Sequence, residues 1–138
     1  MNTATHILRA TVVLPDRDTL LLLRHEGAGW FLPSTLARAD ETVQQAAQRA
    51  VLEATGVAVA LTNLVGIYSG TNATVEFVFT AYTTPDRVRA PDGVELDWLH
   101  LSQAEHLAGG GDAPNLSPSV LADVRRGFRF PLGVLTNS

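Results

Sequence analysis

The sequence predicts an α/β sandwich, and three observations carry that expectation. About five stretches have the β-branched, leucine-rich or alternating apolar pattern of strands, against two or three with helical periodicity. The two kinds do not alternate as regular βαβ units, which disfavours a doubly wound parallel sheet. No glycine-rich dinucleotide fingerprint or P-loop follows any of the strands. A chain of 138 residues has the size of one ordinary domain, so residues 1–138 are read as a single domain.

Residues His6 to Leu14 read as the first strand, with Thr11, Val12 and Val13 as its β-branched centre. Pro15-Asp16-Arg17-Asp18 supplies a turn, and Thr19 to His25 follows as a strand leucine-rich enough for burial on both faces. The two strands are expected to form a hairpin. Glu26 to Asp40 reads as irregular, because Gly27, Gly29 and Pro33 interrupt any period, with Trp30-Phe31-Leu32 anchoring the loop through apolar bulk. A helix comes next. Thr42 and Gln45 have the spacing of a capping box, Val43, Ala47, Ala50, Val51 and Ala54 form an apolar stripe, and Gly56 is a natural stop.

Beyond the helix, Val57 to Tyr68 and Thr74 to Thr83 read as strands joined by a turn at Ser69-Gly70-Thr71-Asn72. Val94 to Leu101 alternates as a further strand, and Ser102 to Leu107 suggests a short helix. Gly109-Gly110-Gly111-Asp112-Ala113-Pro114 reads as a flexible loop. Ser117-Pro118 then gives an N-cap followed by proline at the first helical position, opening a last helix that ends near Gly127.

Composition narrows the function classes. Ten Lys plus Arg stand against fourteen Asp plus Glu, a formal charge of −4, and the basic residues are scattered along the chain. That leaves no basic footprint for a nucleic-acid polymer. The absence of cysteine excludes disulfides and thiolate metal sites. Met1 to Thr5 lacks a basic stretch followed by an apolar core and so does not read as a signal peptide, and no apolar run approaches the ~18 residues of a membrane span. A cytoplasmic protein without membrane contact is the expectation.

The segment Phe31-Leu32-Pro33-Ser34-Thr35, through Glu41, to Arg49-Ala50-Val51-Leu52-Glu53-Ala54-Thr55-Gly56-Val57 resembles the Nudix box, a loop–helix–loop signature. That box runs Gly, five residues, Glu, seven residues, then Arg-Glu-apolar-any-Glu-Glu-any-Gly-apolar. Glu41, Arg49, Val51, Glu53, Gly56 and Val57 occupy six of its nine fixed positions. The flanks agree, with a leucine-rich strand ending in Arg24, then Trp30 and Pro33, and with Glu95-Leu96-Asp97-Trp98 on a later strand. The resemblance covers roughly residues 6–107 and implies an α/β/α sandwich with a mixed sheet. It also implies a phosphate-bearing or nucleotide ligand, an Mg²⁺ or Mn²⁺ cofactor and, as in many Nudix proteins, a homodimer.

The departures from the box bear on its chemistry. Ser34, Thr35 and Asp40 stand where the family carries glycines, which makes any positive φ there costly and predicts another path for the loop. Ala50 and Ala54 replace two of the three glutamates that family members use to hold Mg²⁺ and activate water. Positions 50, 53 and 54 are neighbours on one helix face, so three carboxylates there would converge on one metal cluster, and here only Glu53 remains. Hydrolysis of a phosphoanhydride needs cations on the phosphate oxygens and a positioned water. Because Mg²⁺ is often held by one or two carboxylates plus substrate phosphates, Glu53 with Glu95 or Asp97 is the expected metal set, weak until a diphosphate is bound.

The resemblance gives Glu41 and Arg49 an orienting role beside Glu53. Arg24 and Trp30 suit a phosphate or base by guanidinium and ring contacts. Each assignment has a plainer counterpart. Ala50 and Ala54 extend an ordinary core stripe, Glu53 pairs with Arg49 in solvent, Glu95 and Asp97 face solvent, and Trp30, Phe31 and Trp98 are core anchors. The histidines lack metal-ligand spacing, and His25, following Arg24 at a strand end, either faces substrate or is a plain surface residue. Three functions stay open: a divergent hydrolase of nucleoside-diphosphate-type substrates, a non-catalytic nucleotide-binding or interaction module, and an enzyme of another class reusing the cleft. Fold alone does not choose among them.

Overall fold

The computed structural model describes residues 6–110, 113 and 116–135. The strands are β1 (Ile7–Val13), β2 (Pro15–Asp16), β3 (Thr19–His25), β4 (Gly29–Phe31), β5 (Ser34–Leu36), β6 (Leu61–Ser69), β7 (Thr74–Ala81) and β8 (Val94–His100). Helix α1 (Val43–Thr55) lies between β5 and β6, and α2 (Leu101–Gly110) and α3 (Pro118–Arg126) follow β8. Short 3₁₀ turns occupy Pro85–Arg87 and Leu132–Leu135. None of the described helices is long and apolar enough to cross a membrane.

Two four-stranded sheets make the frame, with β1 at the centre of the first. It pairs antiparallel with β5 on one edge and parallel with β7 on the other, and β6 closes that sheet antiparallel to β7. In the second sheet β3 is central, joined to β2, β4 and β8, all antiparallel. The sheet around β1 is therefore mixed, as the resemblance implies.

Strand alternation sorts the side chains of β1 and β7 onto two faces. Ala10, Val12, Leu14, Phe79 and Ala81 pack with Leu21 against Ala46, Ala47 and Val51 of α1. Val13 and Val78 point the other way and pack with Leu20, Leu22 and Leu32 against Ala104, Val120 and Leu121 of α2 and α3. The layers run α1, sheets, α2 with α3. Leu20 to Leu23 are all buried, because their two faces feed the two cores.

Helix α1 matches its sequence signals residue by residue. The Thr42 side chain accepts from Gln45 N, the Gln45 side chain accepts from Thr42 N, and Gly56 ends the helix in the left-handed region at φ 74°. Helix α3 is capped by the Ser117 hydroxyl, has Pro118 in its first turn and stops at Gly127, φ 75°.

Several expectations need correction. β1 and β3 do not form a hairpin, because both edges of β1 are taken by β5 and β7; the chain crosses at Leu14 into the other sheet, where Pro15–Asp16 is itself a strand and pairs with β3. Glu26 to Asp40 is not wholly irregular, since it holds β4 and β5, each too short to show a period. The strand expected from Val57 begins at Leu61, and bulges between Leu61 and Asn63 and between Leu64 and Gly66 break its alternation. The helix expected at Ser102 to Leu107 extends over Leu101–Gly110. The loop expected at 109–114 overlaps its end, and 111, 112 and 114 lie outside the described residues, as do Met1 to Thr5.

Two substitutions test this packing. Thr42→Ala removes the α1 cap and is expected to cost about 1 kcal/mol, whereas Phe79→Ala empties a fully buried site and is expected to cost about 3–5 kcal/mol. Urea denaturation measures both, and a cost for Phe79→Ala no larger than that for Thr42→Ala would contradict the assigned core.

Candidate functional site

Arg49, at the middle of α1, organises the box. Its Nε and Nη2 donate to the two carboxylate oxygens of Glu41, each at 2.9 Å, in the fork geometry that suits a guanidinium to a carboxylate. Nη2 also donates to the Leu36 carbonyl at 3.0 Å, and Nη1 to the Thr35 hydroxyl and to Glu53, each at 3.3 Å. Glu41 in turn accepts from the Arg38 backbone N–H at 3.1 Å. The pair is largely covered, with side-chain exposures of 18% for Arg49 and 13% for Glu41. Hydrogen bonding from Arg49, then from the Arg38 N–H, holds the Glu41 carboxyl down from its ordinary 4.5 to about 2. The same bond to Glu41 raises the Arg49 pKa.

The positions that lost glycine follow ordinary backbone. Ser34, Thr35 and Asp40 are absent from the residues with positive φ, which among non-glycines are Arg17, Asn72 and Ala73. Ser34 and Thr35 instead form β5 against β1. Their side chains alternate: Thr35 reaches Arg49 on the α1 side, and Ser34 bonds Thr11 and Arg9 on the other, each at 3.0 Å.

Glu53 stands outward on α1 with 57% of its side chain exposed and Arg49 as its partner. Ala50 is buried at 3% exposure and Ala54 is half-buried. On the second sheet Glu95 of β8 lies opposite Arg24 of β3 and accepts from Arg24 Nη2 at 2.7 and 2.8 Å, while the Arg24 guanidinium also lies 4.8 Å from the Trp30 ring centre. Asp97 accepts from the Trp98 backbone N–H at 2.8 Å. Glu53, Glu95 and Asp97 are thus engaged separately. Among the described residues no three His, Asp or Glu side chains converge as a metal-binding group. This donor set does not fit a resident metal ion.

Across β5 from Arg49, a cleft of about 600 Å³ opens between the first sheet, the β6–β7 turn and the start of α3. Its wall includes Arg9, Thr11, Ser34, Glu76, His25 and Phe31. The Thr11 hydroxyl donates to Glu76 Oε2 at 2.6 Å, and Arg9 and Glu76 are partners in the parallel β1–β7 register. His25 and Phe31 stack with ring centres 5.0 Å apart and planes 13° from parallel. Phe31 is therefore not a core anchor: it is half-buried and lines this cleft. Arg24 and Trp30 are not on the cleft wall. Tyr68, also on the wall, donates its hydroxyl to Asp123 of α3 at 2.7 Å, and burial followed by that carboxylate raises its pKa. The sequence reading missed Arg9, Thr11, Glu76 and Tyr68. Polar residues at the alternating strand positions 9, 11 and 76, where a buried sheet should carry apolar ones, were the available signal.

The Glu41 shift fixes the sign of a pH effect. A depressed carboxyl contributes stability that is complete above the ordinary value of 4.5 and is lost as pH falls toward about 2. Glu105, lowered by its bond from Arg125, acts in the same direction, so the comparison must isolate Glu41. The melting temperature of the wild type is expected to exceed that of Glu41→Gln near neutral pH, and the two curves should converge between pH 4.5 and about 2. A constant offset across that window would show that the ion pair is not the source.

No curated protein matches the sequence. Among solved structures, a Nudix hydrolase from Nitrosomonas europaea superposes with a TM-score of 0.78 at 24% identity, covering 97% of this chain and 98% of that one. A MutT protein from Methanosarcina mazei Go1 gives 0.71 at 22% identity over 88% of this chain and 94% of its own. A UDP-X diphosphatase gives 0.70 at 16% identity, covering 95% of this chain and 68% of its own. At these identities the likeness is one of fold. The NUDIX domain profile matches residues 5–119, most of the length, and the chain belongs to the Nudix family.

Proposed function

We propose that this protein binds a nucleoside-diphosphate-type ligand in the cleft beside its box, with Mg²⁺-dependent phosphoanhydride hydrolysis weak or lost. The observation that carries this reading is the state of the box carboxylates. Glu41 is committed to Arg49, Glu53 alone stands outward, and alanines fill the two positions that would complete a cluster. The box thus keeps the contacts that shape its loop and lacks those that would hold a cation.

The cleft retains what a nucleotide requires. Arg9 supplies donors for an anionic or carbonyl oxygen, the unshared Oε1 of Glu76 accepts from an N–H, and the stacked His25–Phe31 pair offers an aromatic face. In this reading Arg24 and Trp30 form a second ring-and-guanidinium surface outside that cleft. None of Glu53, Glu95 and Asp97 lines this cleft, so the reading gives Mg²⁺ or Mn²⁺ no built site beside the ligand. A cytoplasmic setting, where nucleotides are plentiful, suits this role, and so does a homodimer.

Calorimetric titration with nucleoside diphosphates and nucleotide sugars should give saturable binding without added metal, weakened by Glu76→Gln. Product formation over a panel of nucleoside triphosphates, dinucleoside polyphosphates and nucleotide sugars with Mg²⁺ or Mn²⁺ should be slow or absent, and any turnover should vanish in Glu53→Gln. Rapid turnover that survives Glu53→Gln would overturn the assignment of the box, and failure of every nucleotide to bind would overturn the assignment of the cleft.

A further inference from the structure

All ten basic side chains of the chain are arginines. Arg24, Arg49, Arg125 and Arg126 have carboxylate partners, and Arg9 donates to Ser34. Among the described residues the side chains of Arg17, Arg38, Arg87, Arg89 and Arg129 have neither an ion pair nor a hydrogen bond. Three of these five, Arg17, Arg87 and Arg129, line one groove of about 620 Å³, together with Tyr82, which is 49% exposed. The groove lies at the junction of the β2–β3 turn, the segment after α1 and the segment after β7, and it shares no wall residue with the cleft beside the box.

Charge in the groove is not balanced locally. Asp16 is its one acidic wall residue. A neighbouring depression of about 410 Å³ shares Arg17, Tyr82 and Arg129 and adds Arg125 and Asp18, but Arg125 is paired with Glu105, and Asp18 lies 3.1 Å from His100. Three uncommitted arginines around one groove of a chain with net charge −4 bring positive charge to a single place, where an anion would be attracted.

The backbone gives a second, independent observation. Asp16 pairs with Thr19, so Arg17 and Asp18 form a two-residue turn, and Arg17 adopts φ 58°. A positive φ at that place favours glycine or asparagine, and an arginine there is held at a conformational cost. Such local strain is found where a side chain is needed for function.

We propose that this groove is a second ligand site, for the phosphates of a di- or triphosphate anion, with Arg17, Arg87 and Arg129 donating to its oxygens. Guanidinium groups match phosphate geometry through paired N–H donors. Tyr82 sits where it can cover a ring attached to those phosphates. The site does not depend on the box or on the cleft reading, because its residues belong to neither. Free pyrophosphate and a nucleoside diphosphate present the same oxygens, and Tyr82 is what separates them.

Because every basic side chain is an arginine, the ten Nε–Hε signals of the ¹⁵N-labelled full-length protein report each cation separately. Titration with inorganic pyrophosphate is expected to shift Arg17, Arg87 and Arg129 together and saturably. Shifts confined to Arg9, Arg24 or Arg38, or no saturable shift at all, would overturn the proposal. Arg17→Gly relieves the turn while removing one cation, so it should leave the melting temperature equal or higher and weaken pyrophosphate binding about tenfold. Unchanged affinity in that folded variant would equally sink it. With ADP, tighter binding that falls to the pyrophosphate level in Tyr82→Ala identifies a nucleotide ligand, and equal affinities identify a free phosphate compound. Loss of binding at the cleft beside the box leaves these signals untouched, so the two readings fail separately.

Discussion

The fork between Arg49 and Glu41 is the contact on which the box depends. From one guanidinium the chain ties α1 to the Glu41 carboxylate, to the Thr35 hydroxyl and to the Leu36 carbonyl, and Glu41 extends the tie to the Arg38 N–H. The chain from the end of β5 to α1 buries little apolar surface, since Leu36, Arg38, Ala39 and Asp40 are exposed. What fixes it is therefore hydrogen bonding around a covered charge pair. Removing either partner would leave the other charged and partly desolvated, which costs more than the pair itself contributes. This explains why the orienting residues of the box can persist when its metal-binding residues do not.

Strand β5 links that fork to the cleft. Its alternation sends Thr35 toward Arg49 and Ser34 toward Arg9 and Thr11, so the two sites occupy opposite faces of the same three residues. Two of the glycine positions, 34 and 35, accept side chains because the backbone there runs as strand without positive φ. Each hydroxyl then supplies a hydrogen bond that glycine lacks. The changed loop is a rewired one, held by side-chain contacts where the family uses backbone freedom.

How much of this was legible in the sequence follows from the range of the forces involved. Helix α1 was readable to the residue because its signals are local: Thr42, Gln45 and Gly56 fix its ends through contacts a few positions apart. The Nudix spacing was readable for the same reason, since Glu41 and Arg49 are eight positions apart. The assignment of β1 and β3 to different sheets was not, because adjacent strands usually pair and only occupation of both edges of β1 prevents it. β4 and β5 have three residues each, and neighbouring strands impose their conformation. The cleft was hidden for a topological reason: Thr11 and Glu76 are 65 positions apart and meet through a parallel pairing that no local pattern announces.

The two alanines of α1 have a consequence for the fold as well as for chemistry. Three carboxylates at positions 50, 53 and 54 would share one helix face, and without a cation their mutual repulsion and burial would raise their pKa values and destabilise the helix. Position 50 is 3% exposed, so an unpartnered charge there would also lose its hydration. With alanine at 50 and 54, α1 packs Ala46, Ala47 and Val51 into its core and leaves Glu53 in solvent beside Arg49. Its contacts are complete without an ion. The alanines thus let the box helix pack as an ordinary core helix, with Glu53 as the one carboxylate of those three positions.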